Sequence, residues 1–165
     1  MFVREMKKIA NILFICFLFS VLCLPVRSFA MEKEGSLSIH YEVGKGKFSL
    51  YRVADFDETG EFDITEPFAP YNVEVEGLDT AGWRALASTL AGYVDRDSIE
   101  PMAMLETGED GNVHYGGLQT GLYLVIGAPS QAEEAVYLTE PFLVTIPGRD
   151  ATGAFDYEIE VQPKV

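Results

Sequence analysis

The chain has 165 residues, with 26 Asp and Glu against 12 Lys and Arg and a formal net charge of −14 at pH 7. This length allows one ordinary domain plus an extension, and so acidic a balance repels phosphate backbones and anionic lipid, which excludes nucleic acid as a partner. Cys16 and Cys23 both lie near the N-terminus, so the rest of the chain folds without disulfides.

Residues 1–30 have the layout of an export signal. Arg4, Lys7 and Lys8 make a positive start, Ile9 to Leu24 is apolar, and Pro25 breaks the run. Ser28 and Ala30 then put small residues where a signal peptidase needs them, so cleavage is expected after Ala30. The run is shorter than the roughly 20 residues of a comfortable membrane span. Bulky Ile15 and Leu22 precede the two cysteines, which argues against lipid attachment. Residues 31–165 then form the mature domain, secreted or at the cell surface. It carries 8 Lys and Arg against 25 Asp and Glu, a formal charge of −17, and shows no second apolar span.

Ser36 to Tyr41 alternates, with Leu37, Ile39 and Tyr41 on one face and Ser36, Ser38 and His40 on the other, as a half-wet strand does. After the Gly44–Lys47 turn, Phe48 to Ala54 predicts a second strand, apolar enough for burial on both faces. Asp57 to Gly60 turns into a short strand around Phe62 to Ile64. From Asp79 to Val94 the period changes: Trp83, Leu86, Leu90 and Val94 recur at three and four, which predicts one amphipathic helix capped by Asp79 or Thr80. This stripe reads as a face packed on a sheet rather than a ligand site.

Beyond the helix, the spacing predicts a loop through Pro101, a turn at Asp110–Asn112 and a short strand over Val113 to Tyr115. Gly121 to Ile126 is almost continuously apolar and reads as a central strand. Ala135 to Leu138 and Pro141 to Ile146 predict two more, with Pro141 marking a bend or an edge. Phe155 to Val161 alternates Phe155, Tyr157, Ile159 and Val161 with Asp156, Glu158 and Glu160 as a closing strand. The order of elements predicts a mainly β fold, a β-sandwich with one inserted amphipathic helix.

Three segments in this order carry a resemblance: Phe48-Ser-Leu-Tyr-Arg-Val-Ala-Asp55, the helix Trp83 to Val94, and Gly117 to Val125 followed by Glu140 to Pro147. Together they resemble the N-terminal domain of Gram-positive pilus-backbone proteins, the group with Cna B-type, prealbumin-like domains. The resemblance implies a transthyretin-like sandwich, a non-enzymatic role as a pilin-like fimbrial subunit, and partners that are other pilin subunits and a pilus-type sortase. In that family a lysine follows the last strand in a motif of the form Trp-x-x-x-Val-x-Val-Tyr-Pro-Lys. Here Phe155, Ile159 and Gln162 replace Trp, Val and Tyr, while Val161, Pro163 and Lys164 match, so Lys164 becomes the implied linkage site. A lysine serves such chemistry only when its ε-amine is exposed and deprotonated to attack a thioester. The family's backbone proteins continue past this lysine into further domains and a wall-sorting signal; a truncated reading frame, a fragment and a free-standing copy of the domain all stay open.

Many of the family's domains also form internal Lys–Asn bonds. That reaction needs a buried lysine beside an asparagine and a carboxyl group. Asn72 and Asn112 are the only asparagines after residue 30, both in turn-like surroundings, so no such bond is expected. An alternative function on the same sandwich is a soluble adhesin, with a loop such as Thr65 to Asn72 or Glu106 to Asn112 holding a host surface ligand. Asp55, Asp57 and Glu66 fall at positions of a calcium loop, but a strand leads in where that motif requires a helix. His40 and His114 are too few for zinc without cysteine, no nucleophile elbow is present, and no cofactor is implied.

Overall fold

β2 (Lys47–Phe56) and β6 (Gly121–Gly127) are apolar on both faces, and the architecture is what covers them. The computed structural model describes residues 33–56, 60–132 and 134–165. The expected export signal with Cys16, Cys23 and Ala30, and Asp57 of the calcium-like loop, lie outside the described residues.

β1 (Gly35–His40) centres a three-stranded sheet. It pairs antiparallel with β5 (Asn112–Leu118) and parallel with β12 (Glu158–Val161), in the order β12-β1-β5. A second sheet runs β3-β2-β6-β9, with β3 at Phe62–Ile64, β9 at Phe142–Ile146, and β4 (Ala103–Glu106) beside the first half of β2. Four short strands remain. β7 (Ser130–Ala132) and β8 (Ala135–Tyr137) form one hairpin, and β10 (Gly148–Arg149) pairs with β11 (Phe155–Asp156). Among the described residues, no helix is long and apolar enough to cross a membrane.

Between the sheets, Leu37, Ile39 and Tyr41 meet Phe48, Leu50, Tyr115, Tyr123 and Val125 in one core. The alternation of β1 holds: Leu37 and Ile39 are fully buried and His40 is exposed. On the far side of β2 and β6, Tyr51, Val53, Leu122 and Leu124 form a second core with Ala87, Leu90 and Val94 of α1 (Thr80–Asp97). A register shift between Arg52 and Ala54 lets Val53 and Ala54 both be buried.

α1 begins where Asp79 accepts a hydrogen bond from Gly82 N–H at 2.8 Å, and ends at Ser98 in the left-handed region, φ 53°. It runs about one turn past the Val94 limit expected from its apolar stripe, because Asp95 to Asp97 extend its solvent face. The mainly β sandwich with one helix is the fold expected from the sequence.

The closing segment departs from expectation. Phe155 to Val161 is two strands in two sheets: Asp156 accepts from Glu158 N–H at 3.0 Å, and the chain turns at Tyr157. Phe155 therefore does not share a core face with Ile159 and Val161; it is 47% exposed, under the Arg149 guanidinium at 4.6 Å. β4, β7, β10 and a 3-10 turn at Ala69–Tyr71 were also not expected, since each is short and lacks alternation.

Leu90→Ala should lower the unfolding free energy by about 2–5 kcal/mol in urea titration, because it empties the contact between α1 and the sheet. Burial raises the phenols of Tyr123 and Tyr115, the latter to about 12, so the folded state holds these protons more tightly. That stability is complete below the unfolded value of 10.0 and is lost as pH rises through about 12. Circular dichroism should report alkaline unfolding in that window, and phenolate absorbance appearing with structure intact would contradict the assignment.

Candidate functional site

Residues 159–164 divide into an anchored strand and the segment that leaves it. Ile159 and Val161 pair with Leu37 and Ile39 of β1 and pack against the inner core. Pro163 follows, and with its φ fixed and no N–H it keeps the chain extended but out of the ladder. The backbone is caught once more where Glu140 N–H donates to the Lys164 carbonyl at 3.4 Å. The Lys164 side chain is exposed, and among the described residues no carboxylate is ion-paired with it.

A groove of about 300 Å³ opens beside this tail. Trp83, Arg84 and Ala87 of α1 form one wall, Glu140 to Leu143 at the start of β9 form the floor, and Val161 to Lys164 form the other wall. Its surface is mostly apolar side chain, from Trp83, Pro141, Phe142, Leu143 and Pro163. Trp83 is half-buried, with its indole edge-on to Phe62 at 6.4 Å. At the rim, Arg84 Nε lies 3.8 Å from Glu140 Oε2, and both side chains are largely exposed. The arrangement combines a reachable primary amine with an adjacent apolar seat for an extended chain.

Of the motif residues, Pro163 and Lys164 line the groove with Val161, Ile159 sits behind them in the core, and Phe155 lies in the separate β10–β11 hairpin. Sequence reading treated Trp83 as packing alone and did not single out Arg84 or Phe142 as site residues. Glu140 to Pro147 appeared in the family resemblance, yet nothing in the spacing placed it against the tail.

The remaining candidates are engaged elsewhere. Asn112 Oδ1 accepts from His40 Nδ1–H at 2.7 Å and its amide nitrogen donates to Asp110 at 2.9 Å, while Asn72 is exposed at φ 48°. Lys47 pairs with Glu106 at 3.3 Å, and Lys33 lies 3.8 Å above the Tyr157 ring. His114 meets Ser38 Oγ at 3.1 Å on the exposed face of β1 and β5. Asp55 is paired with Arg52 at 2.6 Å, and among the described residues no three metal-ligating side chains gather.

The Thr65–Asn72 loop is pinned rather than open. Phe68 is buried, Tyr71 stacks on Tyr93 at 4.3 Å, and Tyr71 donates to Asp97 at 2.5 Å. Arg96, with help from that phenol, holds the Asp97 carboxyl down to about 2.

No protein-family model matches the sequence, and no curated protein matches it. Solved structures do. The T6 backbone pilin of serotype M6 Streptococcus pyogenes, a modular three-domain protein, superposes with a TM-score of 0.53 at 13% identity, covering 80% of this chain and 28% of that one. The full-length major pilin SpaD from Corynebacterium diphtheriae gives 0.46 at 22% identity, over 80% of this chain and 30% of its own. SpaA of the same organism, in a pilin–signal peptide complex, gives 0.48 at 23%, over 79% and 96%. The chain therefore has the β-sandwich fold found in pilus-backbone proteins, and it spans about 30% of the length of the full-length pilins.

Arg84→Ala and Lys164→Ala should each change the unfolding free energy by less than about 0.5 kcal/mol, since exposed pairs and solvated lysines contribute little. Urea titration of both variants checks that the groove is not needed for folding.

Proposed function

We propose that residues 31–165 are the N-terminal-type domain of a pilin-like fimbrial subunit, with a structural and non-enzymatic role outside the cell. Residues 1–30 would be its export signal, removed after Ala30. Lys164 is the acceptor through which a pilus-type sortase joins this subunit to another, and the groove beside it seats the extended segment being joined. The observation that carries this reading is the tail itself: Ile159 and Val161 hold it in the sandwich, Pro163 frees it, and Lys164 ends exposed at an apolar groove.

The chemistry is an acyl transfer. The neutral Lys164 amine attacks the thioester carbon held on the sortase, the C–N bond forms as the C–S bond breaks, and the thiolate leaves on the enzyme. The amine gives up one proton to the sortase, which carries the thioester. What the domain contributes is position: a fixed segment and a nearby seat raise the local concentration of the reacting carbon.

The test is reconstitution with a pilus-type sortase and a sorting-signal peptide, read by mass spectrometry. The peptide should appear on Lys164, and Lys164→Ala and Lys164→Arg should abolish it. Trp83→Ala should slow the reaction about tenfold while leaving the domain folded, a loss of roughly 1.4 kcal/mol in transition-state binding. Product that survives Lys164→Ala would falsify the site, and N-terminal sequencing of the exported protein should begin at Met31.

A further inference from the structure

The long sheet has an edge strand that carries a single charge. One side of β2 is paired to β6, and the other is shared by β3 and β4, so β4 is a true edge strand. Thr107 N–H donates to Gly46 O at 2.9 Å, and the antiparallel alternation from there turns the N–H and C=O of Met104 and Glu106 outward, away from β2. Met102, Met104 and Leu105 are 53%, 48% and 40% exposed along this edge.

Folded proteins block such edges with lysines, prolines, bulges or inward charges. β12 carries Glu158 and Glu160, and β3 sets Asp63 between Phe62 and Ile64, whose side chains are half-buried on the second core. Within Ala103–Glu106 there is no lysine, proline or register shift, the one charge, Glu106, is drawn to Lys47 at 3.3 Å, and Met104 is an adaptable apolar contact of the kind used by binding surfaces.

We propose that the outer edge of β4 is a strand-addition site for an extended peptide that is aliphatic at its centre and basic at its ends. The backbone groups of Met104 and Glu106 would supply the ladder bonds, and Met102 and Met104 the apolar contact. Charge selects the occupant. Glu100 precedes the strand, and Glu109 and Asp110 follow it, while Lys47 is held by Glu106. A second copy of this chain would bring the same acids against one another and add a domain of charge −17, which disfavours it. This site is separate from Lys164 and does not depend on the sortase reading.

The experiment uses a fluorescein-labelled nonapeptide, Lys-Lys-Val-Thr-Val-Thr-Val-Lys-Lys, titrated with the domain and followed by anisotropy. Saturable binding with Kd on the order of 0.1 mM at low salt is expected, weakening about tenfold at 0.5 M salt as charges are screened. A version with Glu in place of each Lys should not bind. Met104→Pro removes one outward N–H while sparing the bonds to β2, and should weaken binding at least about tenfold. Amide shifts in NMR confined to residues 100–107 of the unaltered domain give a second readout that does not depend on how the variant folds. No binding at millimolar peptide, equal binding to folded Met104→Pro, or shifts elsewhere on the domain would each overturn the proposal. So would a concentration-dependent dimer lost in Met104→Pro, which would make a second copy the occupant.

Discussion

Two strands that are apolar on both faces cannot rest at a surface. β2 and β6 carry Phe48, Leu50, Tyr123 and Val125 to one side and Tyr51, Val53, Leu122 and Leu124 to the other. Each buried side chain of this size is worth roughly 1.5–3 kcal/mol when removed from water, so leaving either side bare would cost about as much as a small domain's whole net stability of about 5–15 kcal/mol. The three-stranded sheet covers one side and α1 the other. The sandwich and the helix packed on it both follow from that need.

The groove is a consequence of the same cover. α1 packs with Ala87, Leu90 and Val94 against the middle of the sheet, which leaves Trp83 and Arg84 near its first turn at the sheet's margin by β9. The last strand arrives at this margin from the opposite sheet, because β12 closes the small sheet by pairing parallel with β1. Residues of the helix, of the start of β9 and of the segment after β12 line the apolar groove between them. Lys164 stands beside it because Ile159 and Val161 are fixed in the core only a few residues earlier. The same logic of incomplete cover leaves Met102, Met104 and Leu105 bare on β4, where β2 outruns β3 and a short strand fills the remaining edge.

Much of the fold was legible in the sequence wherever burial imposes a period. Leu37, Ile39 and Tyr41 alternated because one face of β1 is wet; Trp83, Leu86, Leu90 and Val94 followed the helix period because one stripe is covered; Asp79 announced its cap. The run Gly121 to Ile126 read as central because no polar residue interrupts it. Legibility stopped where an element is held by neighbours rather than by its own pattern. β4 has no alternation of burial, since three of its four residues are exposed. Phe155 and Tyr157 matched the period of Ile159 and Val161, yet the turn at Asp156–Glu158 assigns Phe155 to another hairpin.

The candidate site shows the same division. Pro163 and Lys164 are adjacent in the chain, and a proline's fixed backbone beside a lysine is local chemistry that the sequence alone determines, as it does the acidic charge and the number of strongly periodic elements. That Trp83, Phe142 and Pro163 form one groove depends on contacts between residues far apart in the chain. Those contacts exist only because two cores, one on each side of β2 and β6, draw the helix, the edge strand and the tail to the same margin. No local pattern encodes that meeting; the tertiary structure decided it, because burial energy is shared among segments that carry no record of one another.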